Sequence, residues 1–467
     1  MNAKRLLIAL LGSLLFAGPG HAASLLITNG TVFTGDDVPS SQLDILIDDG
    51  MIEAVDSDLR AAEADRVIDA AGRPVTPALF AGITAVGLSE IGMVYEAVDS
   101  RLNELYTGLM HPEFDVRKAY NPLSSVVPVT RIEGYGYTLL TAAFGDRTIS
   151  GQGSLVRFDG GFDSFEGKTA VYVNVDGYSG NKIGGSRAAH WMLLETAFSS
   201  LAAKKGNGLW LTHNEHLLIN QSGRATLQNT RENGIFVFRA NRASDILQAL
   251  AFSQKHQLNA VISGGQEAWI VRETLAASGT PVVINALDNL PGSFDGLGAR
   301  LDNATLLHKA GVTLLFTSGE THNARKLRQV VGNAVANGLP YEVAIAAMTS
   351  LPAEIFGGKP RMIAPGLRAD VVIWSGDPLD VSSAADQVII DGKLDPMTSR
   401  QTELLKRYLP TDAGLGRAYI NPLRGDSTPA ATYCRRANLV VKPLDQPAGR
   451  VAINEGQNTD VATPCQY

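Results

Sequence analysis

Polar side chains with acid, base or anion-binding chemistry follow several short apolar runs in the middle of the chain. Such runs are typical of buried β-strands, and in a parallel barrel the residues just beyond the strand ends gather at the face that carries the active site. A carboxylate or imidazole there can act as a general base, and a guanidinium can bind an anion through two hydrogen bonds. We therefore predict catalytic roles for Glu267, Glu320 and His322, and ligand binding by Arg239, Asn241, Asn285 and Arg325.

Each of these assignments competes with a structural explanation. Arg239 and Glu320 could form a buried ion pair with no catalytic role, and we favour that interpretation over direct catalysis. His322 lies at the start of a predicted helix, where polar side chains cap backbone N–H groups. His213 and His216 are three residues apart, a spacing that can bind zinc on a helix, but no third ligand is evident.

Two blocks of short β-like segments lie near opposite ends of the chain and predict one small sheet built from both. In the first block, Ser24–Asn29 and Leu43–Ile47 are apolar segments that end near turn-forming residues. In the second block, Ala369–Trp374 and Gln387–Ile390 precede an Asp-Gly turn that is typical of a hairpin.

The region between these blocks alternates strands with helices. The strand-like run Ile235–Arg239 precedes the helical stretch Ser244–Lys255, for example. This alternation implies a parallel sheet covered by helices, and residues 76–350 match the roughly 250 residues of a (β/α)₈ barrel. An open doubly wound sheet is the competing architecture. Segment 144–187 is rich in glycine and weakly periodic, so we expect long loops there.

Composition indicates a globular protein, and the N-terminal segment predicts export. The 467 residues are 45% hydrophobic and 19% charged, and the formal charge of -7 argues against nucleic acid or an acidic membrane surface as the main partner. Lys4 and Arg5, the apolar run 6–17 and the small residues up to Ala22 predict a signal peptide over residues 1–22, and hence a periplasmic location. No later run is long enough to predict a transmembrane segment.

The two cysteines of the chain, Cys434 and Cys465, both lie in a C-terminal segment rich in Pro, Gly, Asn and Thr. An oxidising compartment favours their pairing in a disulfide, and two unpaired thiols are the alternative. We predict that this segment, from about residue 410, is an extended appendage.

Four sequence blocks, in this order, resemble the imidazolonepropionase-like branch of the amidohydrolase superfamily. The first is Val75–Phe80, and the second is Val312–Asn323 followed by Arg325, Gly332–Val335 and Gly338. The third is Ala347-Met348-Thr349, and the last is Pro365–Val372 followed by Ile390-Asp391-Gly392. The resemblance covers residues 24–400 and implies a TIM-like (β/α)₈ barrel with a small β-sandwich formed from both ends of the chain. It also implies hydrolysis of C–N (non-peptide) bonds in a small or cyclic substrate, with zinc activating the water.

The chain departs from this family at the metal-ligand positions that the resemblance aligns. The family's His-x-His pair falls on Ile83-Thr84-Ala85, its histidines on the fifth and sixth strands fall on Arg239 and Ser263, and its aspartate on the eighth strand falls near Gly319 or Glu320. Aliphatic side chains cannot ligate zinc, and a guanidinium keeps its positive charge and repels a cation. We therefore predict no metal cofactor.

The resulting division of the chain is a signal peptide (1–22), a first part of the β-sandwich (23–75), the barrel (76–360), a second part of the sandwich (361–400) and a C-terminal extension (401–467). By resemblance we predict a periplasmic C–N hydrolase that binds a small molecule. One alternative is a catalytically inactive protein of the same fold that binds a small molecule or a partner. Another is an enzyme of the same fold with metal-free acid/base chemistry through Glu267, Glu320 or His322. Assembly into a homo-oligomer is left open.

Overall fold

The computed structural model describes residues 24–60, 64–102, 109–143, 147–182, 185–201 and 218–408, and the backbone of residues 442–443. The predicted signal peptide, the histidine pair and the predicted disulfide lie outside the described residues, and they stay predictions; their residues are 1–22, His213, His216, Cys434 and Cys465.

One sheet collects strands from both ends of the chain. Its N-terminal strands are β1 (Leu25–Val32), β2 (Ser41–Asp48), β3 (Met51–Asp56), β4 (Arg66–Asp69) and β5 (Pro74–Pro77). Its C-terminal strands are β14 (Val371–Trp374), β15 (Ala385–Ile390), β16 (Lys393–Leu394) and β17 (Lys442–Pro443). The order is β16-β15-β14-β5-β1-β2-β3, with β4 pairing with both β1 and β17.

Aliphatic side chains from both ends of the chain form the core of this β domain. Ile27 and Ile45 from the N-terminal strands pack in one buried cluster with Ile373 and Ile389 from the C-terminal strands. The two ends are joined directly where β5 and β14 pair as antiparallel neighbours. Neither end alone supplies this cluster, so the two blocks must fold together, as the sequence predicts.

A second sheet of eight strands forms the barrel. Its strands are β6 (Leu79–Thr84), β7 (Tyr135–Leu140), β8 (Ile149–Arg157), β9 (Phe165–Asn174), β10 (Ile235–Ala240), β11 (Ala260–Gly264), β12 (Val282–Ile284) and β13 (Leu314–Phe316). They lie side by side in chain order from β6 to β13. The Thr317 side chain, just beyond β13, links the two ends of the sheet: its Oγ1 accepts from Ile83 N at 3.1 Å and donates to Ile83 O at 3.3 Å. The barrel prediction is confirmed, and the open doubly wound sheet is wrong.

Strands β8 and β9 correct the expectation of long loops in segment 144–187. Strand β8 runs antiparallel to both of its neighbours, β7 and β9. Glycines in β8 are required by close packing, since a Cβ added at Gly153 would overlap the carbonyl oxygen of Leu140. Glycine weakens the hydrophobic pattern that marks a strand, and for this reason the sequence does not reveal β8. Strand β9 does contain an apolar run, Ala170–Val173, which the expectation of loops overlooks.

Helices cover the outside of the barrel. Their bounds are α1 (Val126–Arg131), α2 (Gly177–Lys182), α3 (Arg187–Leu201), α4 (Gln221–Asn233), α5 (Ala243–His256), α6 (Arg272–Ser278), α7 (Asn303–Lys309), α8 (Leu327–Ala336), α9 (Tyr341–Met348), α10 (Ser350–Ile355) and α11 (Arg400–Tyr408). In α5, the residues Ile246, Ala249, Leu250 and Ser253 are buried at helical spacing, which agrees with the predicted stretch. In the described part of the chain, no helix is long and apolar enough to cross a membrane.

A network of buried ion pairs joins the β domain to the barrel. Arg157, at the end of β8, donates to the Asp370 carboxylate at 3.1 and 3.2 Å. Arg361 bonds to the same carboxylate and donates to Glu166 at 2.8 Å. Burial alone would raise the pKa of Glu166, but the guanidinium groups of Arg361 and Arg368 hold it below its usual value. The junction between the two sheets therefore rests on charges that compensate one another.

Candidate functional site

The mouth of the barrel is the face where the parallel strands end, and its first strand presents hydrocarbon and hydroxyl groups. Ile83 is 4% exposed and Ala85 is 7% exposed. Between them, Thr84 Oγ1 shares a hydrogen bond of 2.8 Å with Thr138 Oγ1 on the next strand. The Ala85 N–H donates to Thr321 Oγ1 at 3.2 Å. The first contact joins the end of β6 to β7, and the second joins it to the loop that follows β13.

Arg239 pairs with Asp176, which lies just beyond the end of β9. The distance between Arg239 Nε and Asp176 Oδ2 is 3.4 Å. Asp176 is buried, and its other oxygen accepts the Ser179 N–H at 2.8 Å in the first turn of α2. The Arg239 side chain is 42% exposed, so the guanidinium remains accessible from solvent.

The predicted ion pair between Arg239 and Glu320 is replaced by this pair with Asp176. Arg239 stands on β10, which neighbours β9, whereas Glu320 follows β13, three strands away along the sheet. The nearer strand therefore supplies the carboxylate. Glu320 is exposed, and its Oε2 accepts from Asn323 Nδ2 at 2.7 Å.

The Glu267 carboxylate accepts two backbone hydrogen bonds and joins two loops of the mouth. Its Oε2 accepts the Ala243 N–H at 3.0 Å, at the first residue of α5. Its Oε1 accepts the Gly298 N–H at 2.9 Å, in the loop that follows β12. Glu267 is 9% exposed. Both oxygens thus bind N–H groups that the backbone leaves unpaired, which is the geometry of a structural cap.

Replacing Glu267 by glutamine is expected to lower the free energy of unfolding by about 1–3 kcal/mol. A neutral amide offers one acceptor oxygen where the carboxylate offers two, so one of the two partly buried N–H groups loses its partner. Denaturant titration measures the change, with Glu320→Gln as the matched control on an exposed carboxylate. Equal stability of the two variants, with turnover lost in E267Q, would assign Glu267 to catalysis instead.

The other predicted residues lie on the loops around the mouth. His322 is exposed and Arg325 is half-buried, both in the loop after β13. Asn285, after β12, donates to Asp288 Oδ1 at 3.0 Å and accepts the Leu287 N–H at 3.2 Å. These contacts shape the loop that starts at Asn285.

Asn241 carries a buried acceptor without a partner. Its Oδ1 has no hydrogen bond from any described residue, although its backbone carbonyl accepts the Glu267 N–H at 2.9 Å. A buried acceptor without a donor costs about 1–3 kcal/mol unless water or a ligand supplies the donor. The Oδ1 atom is buried against Gly264, where an added Cβ would overlap it, so this acceptor is packed into the protein and is not exposed at the mouth.

Comparison with known proteins bears on the fold. The chain aligns with the solved structure of an amidohydrolase from Thermotoga maritima MSB8 over 79% of its own length and 99% of that chain, with a TM-score of 0.69 and 21% sequence identity. The chain has the fold of an amidohydrolase. The resemblance inferred from the sequence is confirmed at this level.

A curated relative matches a shorter stretch of sequence. Over 90 residues the chain is 37% identical to "Amidohydrolase tasK" of Hapsidospora irregularis. This stretch is 19% of the present chain and 9% of that protein, so the chain spans less than a tenth of the relative's length. No family model matches the chain.

Further charged and polar residues lie at this amidohydrolase-fold mouth beside those assigned catalytic or ligand-binding roles. Arg187 Nε donates to Asp245 Oδ2 at 2.9 Å, and its guanidinium also pairs with Asp295. His190 is 2% exposed, and both of its ring nitrogens lack a partner among the described residues. Burial lowers the pKa of His190 to about 4, against the opposing effect of the Asp176 carboxylate, so the imidazole is neutral at neutral pH.

Asp176 is missed because the sequence-based prediction expects loops in segment 144–187, where the structure has strand β9. The apolar run that ends at Asn174 and Val175 is the available signal, since it would place Asp176 at a strand end. Within the described ranges, no group of three or more His, Cys, Asp or Glu side chains lies together in a way that could hold a metal ion.

Proposed function

We propose that this chain is an exported, periplasmic member of the amidohydrolase superfamily that hydrolyses a C–N (non-peptide) bond of a small or cyclic substrate at the mouth of its barrel. The fold shared with the Thermotoga maritima amidohydrolase over almost the whole of that chain supports the proposal. The accessible Arg239 guanidinium at the strand ends is the observation that carries the location of the site, because it can bind a substrate carbonyl or carboxylate oxygen.

The proposed reaction proceeds without the zinc ion of the family. Ile83 and Ala85 have no donor atoms, and Ser263 is a neutral hydroxyl, so three of the aligned positions offer no ligand that zinc prefers. The guanidinium of Arg239 repels a cation and is already paired with a carboxylate. The donor set therefore does not fit zinc, and no step is assigned to a metal.

In this proposal, residues of the loop after β13 act as the general acid and the general base. Glu320 and His322 are exposed there. Hydrolysis adds water across the C–N bond: a base takes a proton from water, the oxygen bonds to the carbonyl carbon, and the departing nitrogen receives a proton as the bond breaks. Arg239 would stabilise the negative charge that develops on the carbonyl oxygen.

A second candidate function is binding of a small molecule without turnover. The observation that favours it is the Glu267 carboxylate, whose two oxygens are both held by backbone N–H groups and are not available as a base. In this case Arg239 binds the small molecule at the mouth, and Glu320 and His322 in the loop after β13 have no catalytic role.

Metal removal tests the proposal. We expect the purified protein to contain well under about half an equivalent of zinc, manganese or iron, because the mouth lacks ligands for them. Hydrolysis of small acyclic and cyclic amides, including N-acetylglycine, is expected to be unchanged by a chelator. Elemental analysis and product assays with and without chelator are the measurements, and a stoichiometric ion whose removal abolishes turnover contradicts the proposal.

Variants of the loop after β13 separate the two candidate functions. Glu320→Gln and His322→Asn are expected to lower kcat, with Glu354→Gln, an exposed carboxylate on α10, as the control. Binding of amides by the wild-type protein without any product would support the second candidate and overturn hydrolysis.

A further inference from the structure

Strand β4 lies at an edge of the β domain, with β1 on one side and the two residues of β17 on the other. The β1 side is engaged: the Arg66 N–H donates to Ser24 O at 3.1 Å, and the Ala70 N–H donates to Thr28 O at 2.8 Å. The backbone groups of successive residues in a strand point to opposite sides, so those of Val67 point away from β1. This edge therefore offers one donor and one acceptor, both at Val67, to a further strand.

The register of β17 fits this edge. Lys442 lies opposite Val67 and Pro443 lies opposite Arg66, in an antiparallel pair. Because Val67 faces β17 with both of its backbone groups, Val67 and Lys442 form the pair that exchanges two hydrogen bonds. Arg66 uses its N–H toward β1, so Arg66 and Pro443 form a pair without hydrogen bonds. Proline has no N–H, and it lies at the position where none is needed.

The same edge is suited to a short strand. Asp69 is the next residue of β4 whose backbone points away from β1, and its carbonyl oxygen accepts from Arg73 Nη2 at 3.1 Å. The Arg73 side chain also pairs with Asp386 of β15 at 2.8 Å, which holds it in place. One hydrogen-bonded pair is a weak contact. It therefore favours an occupant that is covalently attached, because attachment raises the local concentration.

The C-terminal extension is long enough to return to β4 within one molecule. Helix α11 ends at Tyr408, and 33 residues separate it from Lys442. A chain of that length reaches up to about 110 Å, whereas a globular unit of about 400 residues has a radius of gyration of about 21 Å. A residue that precedes proline favours extended backbone, which suits Lys442 to pairing in a strand.

We propose that the outer edge of β4 is a docking site for one extended strand, and that the C-terminal extension of the same chain occupies it through Lys442 and Val67. The docked extension covers backbone groups that a strand from another chain could otherwise pair with. The inference concerns the β domain and does not depend on the proposed hydrolysis.

Residue-resolved hydrogen exchange of the full-length protein tests this docking. In Lys442→Pro the ring replaces the N–H that faces β4 and prevents the pairing, so the Val67 amide is expected to exchange about tenfold faster than in wild type. Pro443→Ala is the matched control, and we expect it to retain the wild-type rate because its pair needs no N–H. The Ile68 amide points toward β1 and is expected to be unchanged in all three proteins, which reports that the β domain remains folded.

Two results at Val67 would overturn the inference. Equal exchange rates in wild type and K442P would show that the extension does not protect this amide. Faster exchange in P443A, equal to that in K442P, would contradict the register in which Pro443 needs no hydrogen bond.

A mixture of isotopically labelled K442P and unlabelled wild-type protein identifies the chain that supplies the strand. Fast exchange of the labelled Val67 amide at every wild-type concentration supports docking within one chain. Exchange that slows as the wild-type concentration rises would show that another copy supplies the strand, and would overturn the assignment to the same chain.

Discussion

Replacing Asp370 by asparagine is expected to lower the free energy of unfolding by about 3–5 kcal/mol. Asp370 is 6% exposed and accepts hydrogen bonds from Arg157, from Arg361 and from the Asp391 N–H. The substitution keeps the shape of the side chain but removes its charge. Two buried guanidinium groups then lose a compensating anion at the junction between the barrel and the β domain.

The matched control is Asp391→Asn, in the same network. Asp391 also pairs with Arg157, at 2.6 Å, but its side chain is 39% exposed, so water replaces much of the lost interaction. Denaturant titration of both variants gives the comparison, and D391N is expected to cost about 1 kcal/mol or less. A D370N protein as stable as D391N would show that the buried network does not hold the two parts together.

Replacing Gly153 by alanine is expected to destabilise the barrel by about 3 kcal/mol, the upper part of the range for overpacking. The added Cβ would overlap the Leu140 carbonyl oxygen and would lie 3.4 Å from Cγ2 of Val116. The first of these atoms belongs to the backbone of β7, so no side-chain rotation relieves the overlap. Relief requires β7 and β8 to move apart.

Gly292→Ala is the control, because a Cβ there meets no atom within 4 Å and the residue has no left-handed φ angle. We expect its midpoint of thermal unfolding to equal or exceed that of wild type, since alanine reduces the entropy of the unfolded chain. Comparison of the two midpoints by circular dichroism isolates the steric effect. A G153A midpoint equal to that of G292A would mean that β7 and β8 lie further apart than described.

Local sequence patterns predict the elements whose side chains follow a simple period. The helix predicted over Ser244–Lys255 is found at Ala243–His256, and the strand predicted over Ile235–Arg239 is found at Ile235–Ala240. Each of them buries an apolar face or an apolar run, which the sequence shows directly. Strand β8 lacks a simple apolar pattern because it contains glycines. At Gly153 the close contact with β7 leaves no room for a side chain, and the sequence does not show that β7 is the neighbour.

Partners across the barrel mouth depend on which strands become neighbours. Arg239 and its position at a strand end follow from its apolar run, yet its partner is Asp176 on the adjacent strand and not Glu320. Glu267 is foreseen near the mouth, but the two N–H groups it binds come from residues 24 before and 31 after it. The charge and length of a side chain can be read from the sequence. Its role also depends on which groups from distant parts of the chain lie within hydrogen-bond distance of it.

The sequence by itself determined the two-ended β domain, the alternation of strands and helices and the side chains available at the strand ends, because apolar periodicity and residue chemistry are local properties. The choice of a barrel over an open sheet came from the resemblance to the amidohydrolase superfamily. Only the tertiary structure decided which carboxylate pairs with Arg239 and that both oxygens of Glu267 accept backbone hydrogen bonds. Those relations join segments distant in sequence, and their energies depend on distances and burial that exist only after the strands have assembled.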